Sequence, residues 1–249
     1  MRPKDASSIV LVDRRGPEPR LLMGRRAAKH AFMPNIYVFP GGRVDYGDRF
    51  APVAIDYHAD TLDLLMQQMK GRPTPLRARM LGLAAIRETH EEVGLILGVK
   101  TDVLRQYAQP TWAAFASAGI QPDLSRLTFI ARAITPPGRN RRFDTRFFLA
   151  DVSDILEQQE AHSSEELEDV RWVTLSEAAD LETHPITDRV LDATGKALDH
   201  SQTDTSLGAS PLAVPYYQPK RGGVRLEKLI TYLRPGAEPI AGGEIEIGA

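Results

Sequence analysis

The chain has 249 residues, 42% hydrophobic and 26% charged, the composition of an ordinary soluble globular protein with one decorated domain or two small ones. Its 31 basic and 33 acidic side chains leave a formal charge of −2, so no global basic field recruits nucleic acid or an anionic membrane, and any anion site must be local. With no cysteine, disulfides, zinc–thiolate sites and thiol catalysis are excluded, and a bound metal must use oxygen or histidine ligands.

The opening MRPKDASSIVLVDRRG breaks into charges too early for a secretory signal, and no apolar run approaches the ~20 residues that span a bilayer, so a cytoplasmic protein is expected. SSIVLVDRR and PRLLMGRR predict two strands joined by the turn-forming RGPEP, and NIYVFPGGRV predicts a third running into a Gly-Gly turn. DTLDLLMQQMKG places Leu62, Leu65, Met66 and Met69 at helical spacing before Gly71 and the loop RPTP. This predicts an added amphipathic helix, too short to be stable without a partner surface. A second helix is predicted from about Leu76 to Val93, closed by Gly94, a residue suited to the left-handed C-cap position. LSRLTFIARAITPP and RRFDTRFFLADV read as two strands around the basic loop GRN. LEDVRWVTLSEAAD reads as strand then helix, with Thr174 and Glu177 at capping-box spacing. Strands and helices mix without regular βαβ alternation, so the predicted class is α+β. The expected division is a domain over 1–200, with an insertion at about 50–75, and an extension over 201–249. That extension, rich in Pro, Gly and Ser around RLEKLITYLR, reads as a loosely structured tail packing on the domain.

Chemistry concentrates in AAIRETHEEVGL, where Glu88, Glu91 and Glu92 share one helix face within two turns. Like charges at i,i+4 destabilise a helix by roughly 0.2–0.5 kcal/mol unless something positive sits between them. Three carboxylates make half of an oxygen cage for Mg²⁺, a hard cation typically shared between carboxylates and substrate phosphates. Arg87 is spaced to bridge to Glu91 and hold it in place. Taken alone, three glutamates more often mark a solvated acidic face.

Their context favours chemistry. RETHEEVGL, at Arg87, Glu88, Glu91, Glu92, Gly94 and Leu95, resembles the REUxEExGU half of the Nudix box, where U is a bulky apolar residue. FPGGRVD resembles the Gly-Gly turn upstream of it. The sequence departs from the box in two ways. Forty-four residues separate Gly42 from Arg87, far more than usual, with Asp48 standing six after Gly42 where the box has a glutamate; and Thr89 takes an apolar position. The resemblance implies a Nudix fold, a mixed β-sheet between helices, with a helical insertion inside the box. It also implies hydrolysis of a nucleoside diphosphate linked to another group, with Mg²⁺ (or Mn²⁺) held by Glu88, Glu91 and Glu92 and Arg87 supporting them. The long insertion, FPGG, AITPP and RRFDTRFFLADV are similar to the superfamily branch containing the mammalian peroxisomal coenzyme A diphosphatase, over roughly Ser8 to Ala179. LLMGRRAAKHAFMPNIYVFPGG, through its Leu-Leu, Arg25 and His30, partly resembles the element preceding the box in other coenzyme A diphosphatases.

The substrate so implied is coenzyme A or an acyl-coenzyme A, cleaved to 3′,5′-ADP and a 4′-phosphopantetheine product. ADP-ribose or NADH hydrolysis and a non-catalytic ligand-sensing module are the alternatives, and the intact glutamates argue against the last. Glu166, in HSSEELEDVRW, is the candidate general base outside the box. Arg25, Arg141, Arg142 and Arg146 are the candidate phosphate contacts, with Asp144 positioned to neutralise one of them. Trp112 and Phe115 fit the core better than a base-stacking site, and His90 fits the helix surface. The expected partner is a small molecule, not nucleic acid or a membrane, and a homodimer is left open.

Overall fold

The computed structural model describes residues 2–29, 34–101, 109–153, 155, 158–201, 213–230 and 245–247. In chain order the elements are β1 (Lys4–Asp13), β2 (Arg20–Arg26), β3 (Tyr37–Val38), β4 (Gly41–Arg43), a 3₁₀ turn at Tyr46–Phe50, α1 (Ala59–Met66) and α2 (Pro75–Val93). Then come β5 (Val99–Lys100), α3 (Ala113–Ala118), β6 (Ile120–Gln121), β7 (Thr128–Ile134), β8 (Phe143–Asp151) and β9 (Leu167–Val173). The last are α4 (Leu175–Ala179), α5 (Pro185–Ser201), β10 (Ala213–Lys220), β11 (Gly223–Ile230) and β12 (Ile245–Ile247).

The main sheet runs β12-β11-β10-β7-β8-β1-β2-β3, with β4 also on β1 and β9 on β2. β1 lies parallel to β8 and β10 parallel to β7, while the remaining pairs are antiparallel, so the sheet is mixed. Strand alternation gives it two apolar faces. Ile9, Leu11 and Phe148 point toward α1 and α2; Val10, Val12, Phe147 and Leu149 point toward α4 and α5. This is the expected α+β layering, a mixed sheet between helices. Among the described residues no helix is long and apolar enough to cross a membrane.

Four local outcomes differ from the sequence expectation. The third strand is broken in two at Phe39–Pro40: proline has no N–H for a ladder, and its carbonyl is taken by Ile9 N–H and the Ser8 hydroxyl, both at 2.9 Å. The inserted helix α1 stops at Met66, and it buries Leu64 and Leu65 while Leu62 and Met66 are only partly buried. Its end is set from outside, because buried Arg132 takes the carbonyls of Gln67 and Gln68 at 3.1 and 3.2 Å; Met69 re-enters the core beyond that turn. The third difference is α5, which the sequence reading left unassigned; only a sparse apolar stripe, Val190, Leu191 and Leu198, reaches the core.

Finally, residues 213–230 are not loose. β10 and β11 form a hairpin that extends the sheet beyond β7, and Val214, Tyr216 and Leu229 join the core on the α2 side. β10 bonds to β7 only around Tyr216 and Tyr217, and Pro215 and Pro219, which cannot donate, bracket that short pairing.

Candidate active site

Helix α2 delivers the three glutamates because its ends are fixed. Thr74 caps the start by accepting from Arg77 N–H at 3.2 Å, Pro75 opens the first turn, and Gly94 closes the helix at φ 80. Thr89, the departure from the apolar box position, is buried and returns its hydroxyl to the Ala85 carbonyl at 2.8 Å, so it packs without leaving a polar atom unpaired.

Within the chain itself, two of the three glutamates share a positive partner, Arg87. Its buried guanidinium donates to Asp48 at 2.8 and 3.3 Å, to Glu88 and Glu91 at 2.8 Å each, and to the Arg43 carbonyl at 3.0 Å. Asp48 is buried in the 3₁₀ turn, locked by a capping box with Asp45. The insertion therefore enters after the acid that pairs with Arg87, and the long gap leaves the box closed in space.

The Gly-Gly turn is shaped for carboxylates. Gly41 N–H donates to Glu92 at 2.8 Å. A Cβ added to Gly42 would fall on the Glu88 carboxylate, so only glycine lets that acid lie against the turn. Burial raises the Glu88 carboxyl, offset in part by Arg87 and reinforced by Glu91 and Glu166. Burial likewise pushes Glu92 up to about 8, with Glu88 and Glu166 adding to the effect and Gly41 N–H and Arg26 opposing it. Burial lowers the Arg87 guanidinium, but the Asp48 hydrogen bond and the Glu88, Asp48 and Glu91 charges outweigh this and raise it.

Among the described residues no three His, Asp or Glu side chains already converge as a metal cage. Glu92 is turned to Gly41, and Glu88 and Glu91 are turned to Arg87. The donor set nonetheless suits a hard divalent cation, which takes oxygen ligands, keeps several waters and needs few protein groups. It would also relieve the burial and mutual repulsion that hold Glu88 and Glu92 up.

Glu166 is brought to this cluster by the β2–β9 pairing: its carbonyl accepts from Ala27 N–H at 3.1 Å, and its charge acts on Glu88, Glu92 and Arg26. Arg26 is the basic residue facing both Glu92 and Glu166; only the sheet register reveals this. Arg25 is 3.6 Å from Glu168 on the same strands, and His30 lies outside the described residues.

The other arginines are not brought together with the glutamates. Ser7 pairs with both Gly42 and Arg146, so Arg142 sits four residues, about 13 Å, along β8 from the level of the glycine turn, and Arg141 lies one residue further. Arg146 is a correction: it is fully buried and bonded to Asp5 at 2.8 Å and to the Asp144 carbonyl at 2.9 Å, so it holds strands and is closed to a substrate. Trp112 and Phe115 are buried with ring centroids 4.9 Å apart, and half-buried His90 meets Phe115 edge-on at 5.7 Å.

Residues 81–194 match the family model of the NUDIX domain, a stretch that begins inside α2, downstream of the insertion. The acyl-coenzyme A diphosphatase NUDT19 of Gallus gallus is 26% identical over 235 residues, covering 67% of this chain and 59% of that protein, so the chain spans less than two thirds of this relative. The crystal structure of a NUDIX hydrolase from Alicyclobacillus acidocaldarius superposes with a TM-score of 0.57 at 25% identity, covering 84% of this chain and 99% of that one.

Proposed function

We propose that the Nudix domain of this chain hydrolyses a nucleoside diphosphate linked to a second group, and that the substrate is coenzyme A or an acyl-coenzyme A. The observation that carries the hydrolase reading is the buried Arg87–Asp48 pair, which presents Glu88 and Glu91 beside Glu92 on a turn that only glycines permit. The coenzyme A reading draws support from the RFDTRFF stretch and from the named activity of the chicken relative.

Glu88, Glu91 and Glu92 would hold a divalent cation, Mg²⁺ or Mn²⁺, which when bound supplies Lewis acidity and a water of lowered pKa. Arg87 keeps Glu88 and Glu91 aimed, and the Gly41 N–H orients Glu92. Glu166, facing the glutamate pair from β9's end, takes the proton of the attacking water. Arg25 and Arg26 offset the phosphate charge on the β2 side. Water adds to one phosphorus and the P–O–P bridge breaks, giving 3′,5′-ADP and 4′-phosphopantetheine or its acyl form.

The test is product analysis on coenzyme A, its 3′-dephospho form, ADP-ribose and NADH with and without Mg²⁺. Metal-dependent release of 3′,5′-ADP is expected, lost in Glu91→Gln. A higher kcat/KM on ADP-ribose or NADH would move the substrate while leaving the hydrolase reading intact; no turnover of any of the four would end it.

A further inference from the structure

A groove of about 390 Å³ opens between the insertion and the first half of α2, the half away from the carboxylates. Ala51, Pro52, Val53, Leu76 and Leu83 supply its apolar wall, and Arg49, Asp56 and Arg79 supply its polar lining. Leu76, Arg79, Leu83, Arg87 and Glu91 follow one another at i,i+3 or i,i+4 along α2, so groove and carboxylates lie on one helix face. Arg87, paired with Asp48, stands between Leu83 and Glu91 on that face. From Leu83 to Glu91 is eight residues, about 12 Å along the helix.

Three features of this groove are those of a binding surface. Tyr46 and Phe50, next to the groove's Arg49 on the same 3₁₀ turn, are 67% and 44% exposed, large rings with centroids 5.6 Å apart. Arg49 lies over both, 5.0 and 5.3 Å from their centroids, and donates to the Tyr46 hydroxyl at 2.8 Å; among the described residues it has no carboxylate partner. The groove's other charges, Arg79 and Asp56, neutralise each other at 2.6 Å. The surface thus offers a wall of mixed apolar and polar character and, in Arg49, one cation open to a carbonyl oxygen.

We propose that the insertion builds the subsite for the arm of the substrate that lies across the diphosphate from the nucleoside. The occupant is an extended chain of methylene and amide groups long enough to reach about 12 Å past the phosphates. A compact ribose arm is too short to fill it. The proposal rests on the hydrolase reading above and adds to it a reason for the insertion: it selects for arm length.

The experiment has two arms, using the full chain and Ala54→Trp, a substitution at an exposed lining position that fills the groove without touching the carboxylates. Calorimetric titration with 4′-phosphopantetheine should show affinity weakened about tenfold or more in Ala54→Trp, with ribose 5-phosphate unchanged. In kinetics, kcat/KM on coenzyme A should fall about tenfold, mainly through KM, and kcat/KM on ADP-ribose should stay the same. Arg49→Ala should reproduce the direction. Equal losses on both substrates, or unchanged 4′-phosphopantetheine affinity, would overturn the subsite. If the wild type turns over neither substrate, the hydrolase reading fails, and the calorimetry still decides the groove.

Discussion

Arg87 carries the site because it satisfies four groups at once, so its removal should be costlier than that of any single acid. Arg87→Ala leaves Asp48 buried without its counter-charge, a defect that costs about 3–5 kcal/mol, and frees Glu88 and Glu91 to splay. Urea unfolding should show that loss, with no recovery in Arg87→Lys, whose single ammonium lacks the fork. Glu92 gives a pH signature. With its folded pKa near 8 against an ordinary value of 4.5, the folded chain binds the extra proton between those values, so unfolding releases it and stability falls as pH rises through 8. In chelator, the melting temperature should therefore drop between about pH 5 and 8, by roughly 2–4 °C per kcal/mol lost. Glu92→Gln, neutral throughout, should flatten the profile. A wild-type profile that is already flat would contradict the buried, protonated carboxyl.

Helix α2 is an element whose tight packing reverses a normal propensity. An exposed helical glycine usually gains up to about 1 kcal/mol on becoming alanine. At Gly82 a Cβ would strike the buried Tyr57 hydroxyl and come within 2.8 and 2.9 Å of Leu127 and Leu124 methyls, so Gly82→Ala should instead lose about 1–3 kcal/mol. A stabilised Gly82→Ala in thermal melts would show that α2 sits further from the insertion than described. The insertion packs against this helix: Leu64, Leu65 and Met69 are buried with Ala78 and Leu81 in one cluster.

Across the whole molecule, Arg132 joins three parts of the chain that the sequence keeps far apart. It is fully buried, paired with Asp144 at 2.8 Å, bonded to the two insertion carbonyls, and set 4.2 Å over the Tyr216 ring of the C-terminal hairpin. Arg132→Ala should cost about 3–5 kcal/mol by stranding Asp144. Hydrogen exchange in that variant should rise together in 59–69 and 213–230; a rise confined to one of them would show that Arg132 does not couple them. The hairpin also covers the edge of β7, which would otherwise present unpaired backbone groups.

The sequence by itself determined the elements whose signals are local. β1, β2, β7 and β8 follow from alternation, and α2 from its cap, its period and Gly94. The glutamate triplet, with Arg87 reaching Glu91 at i,i+4, follows from helical spacing alone. The tertiary structure decided everything that depends on distant pairing. Only the fold shows that Asp48 reaches Arg87 across the insertion, that Arg26 rather than Arg142 faces the acids, and that Arg146 is spent inside the sheet. The hairpin at 213–230, too, lay hidden under a proline-rich composition. Charge and residue type are written in the chain, but burial and strand register are set by contacts between residues far apart in it, and those decide whether an arginine meets a substrate or a neighbouring aspartate.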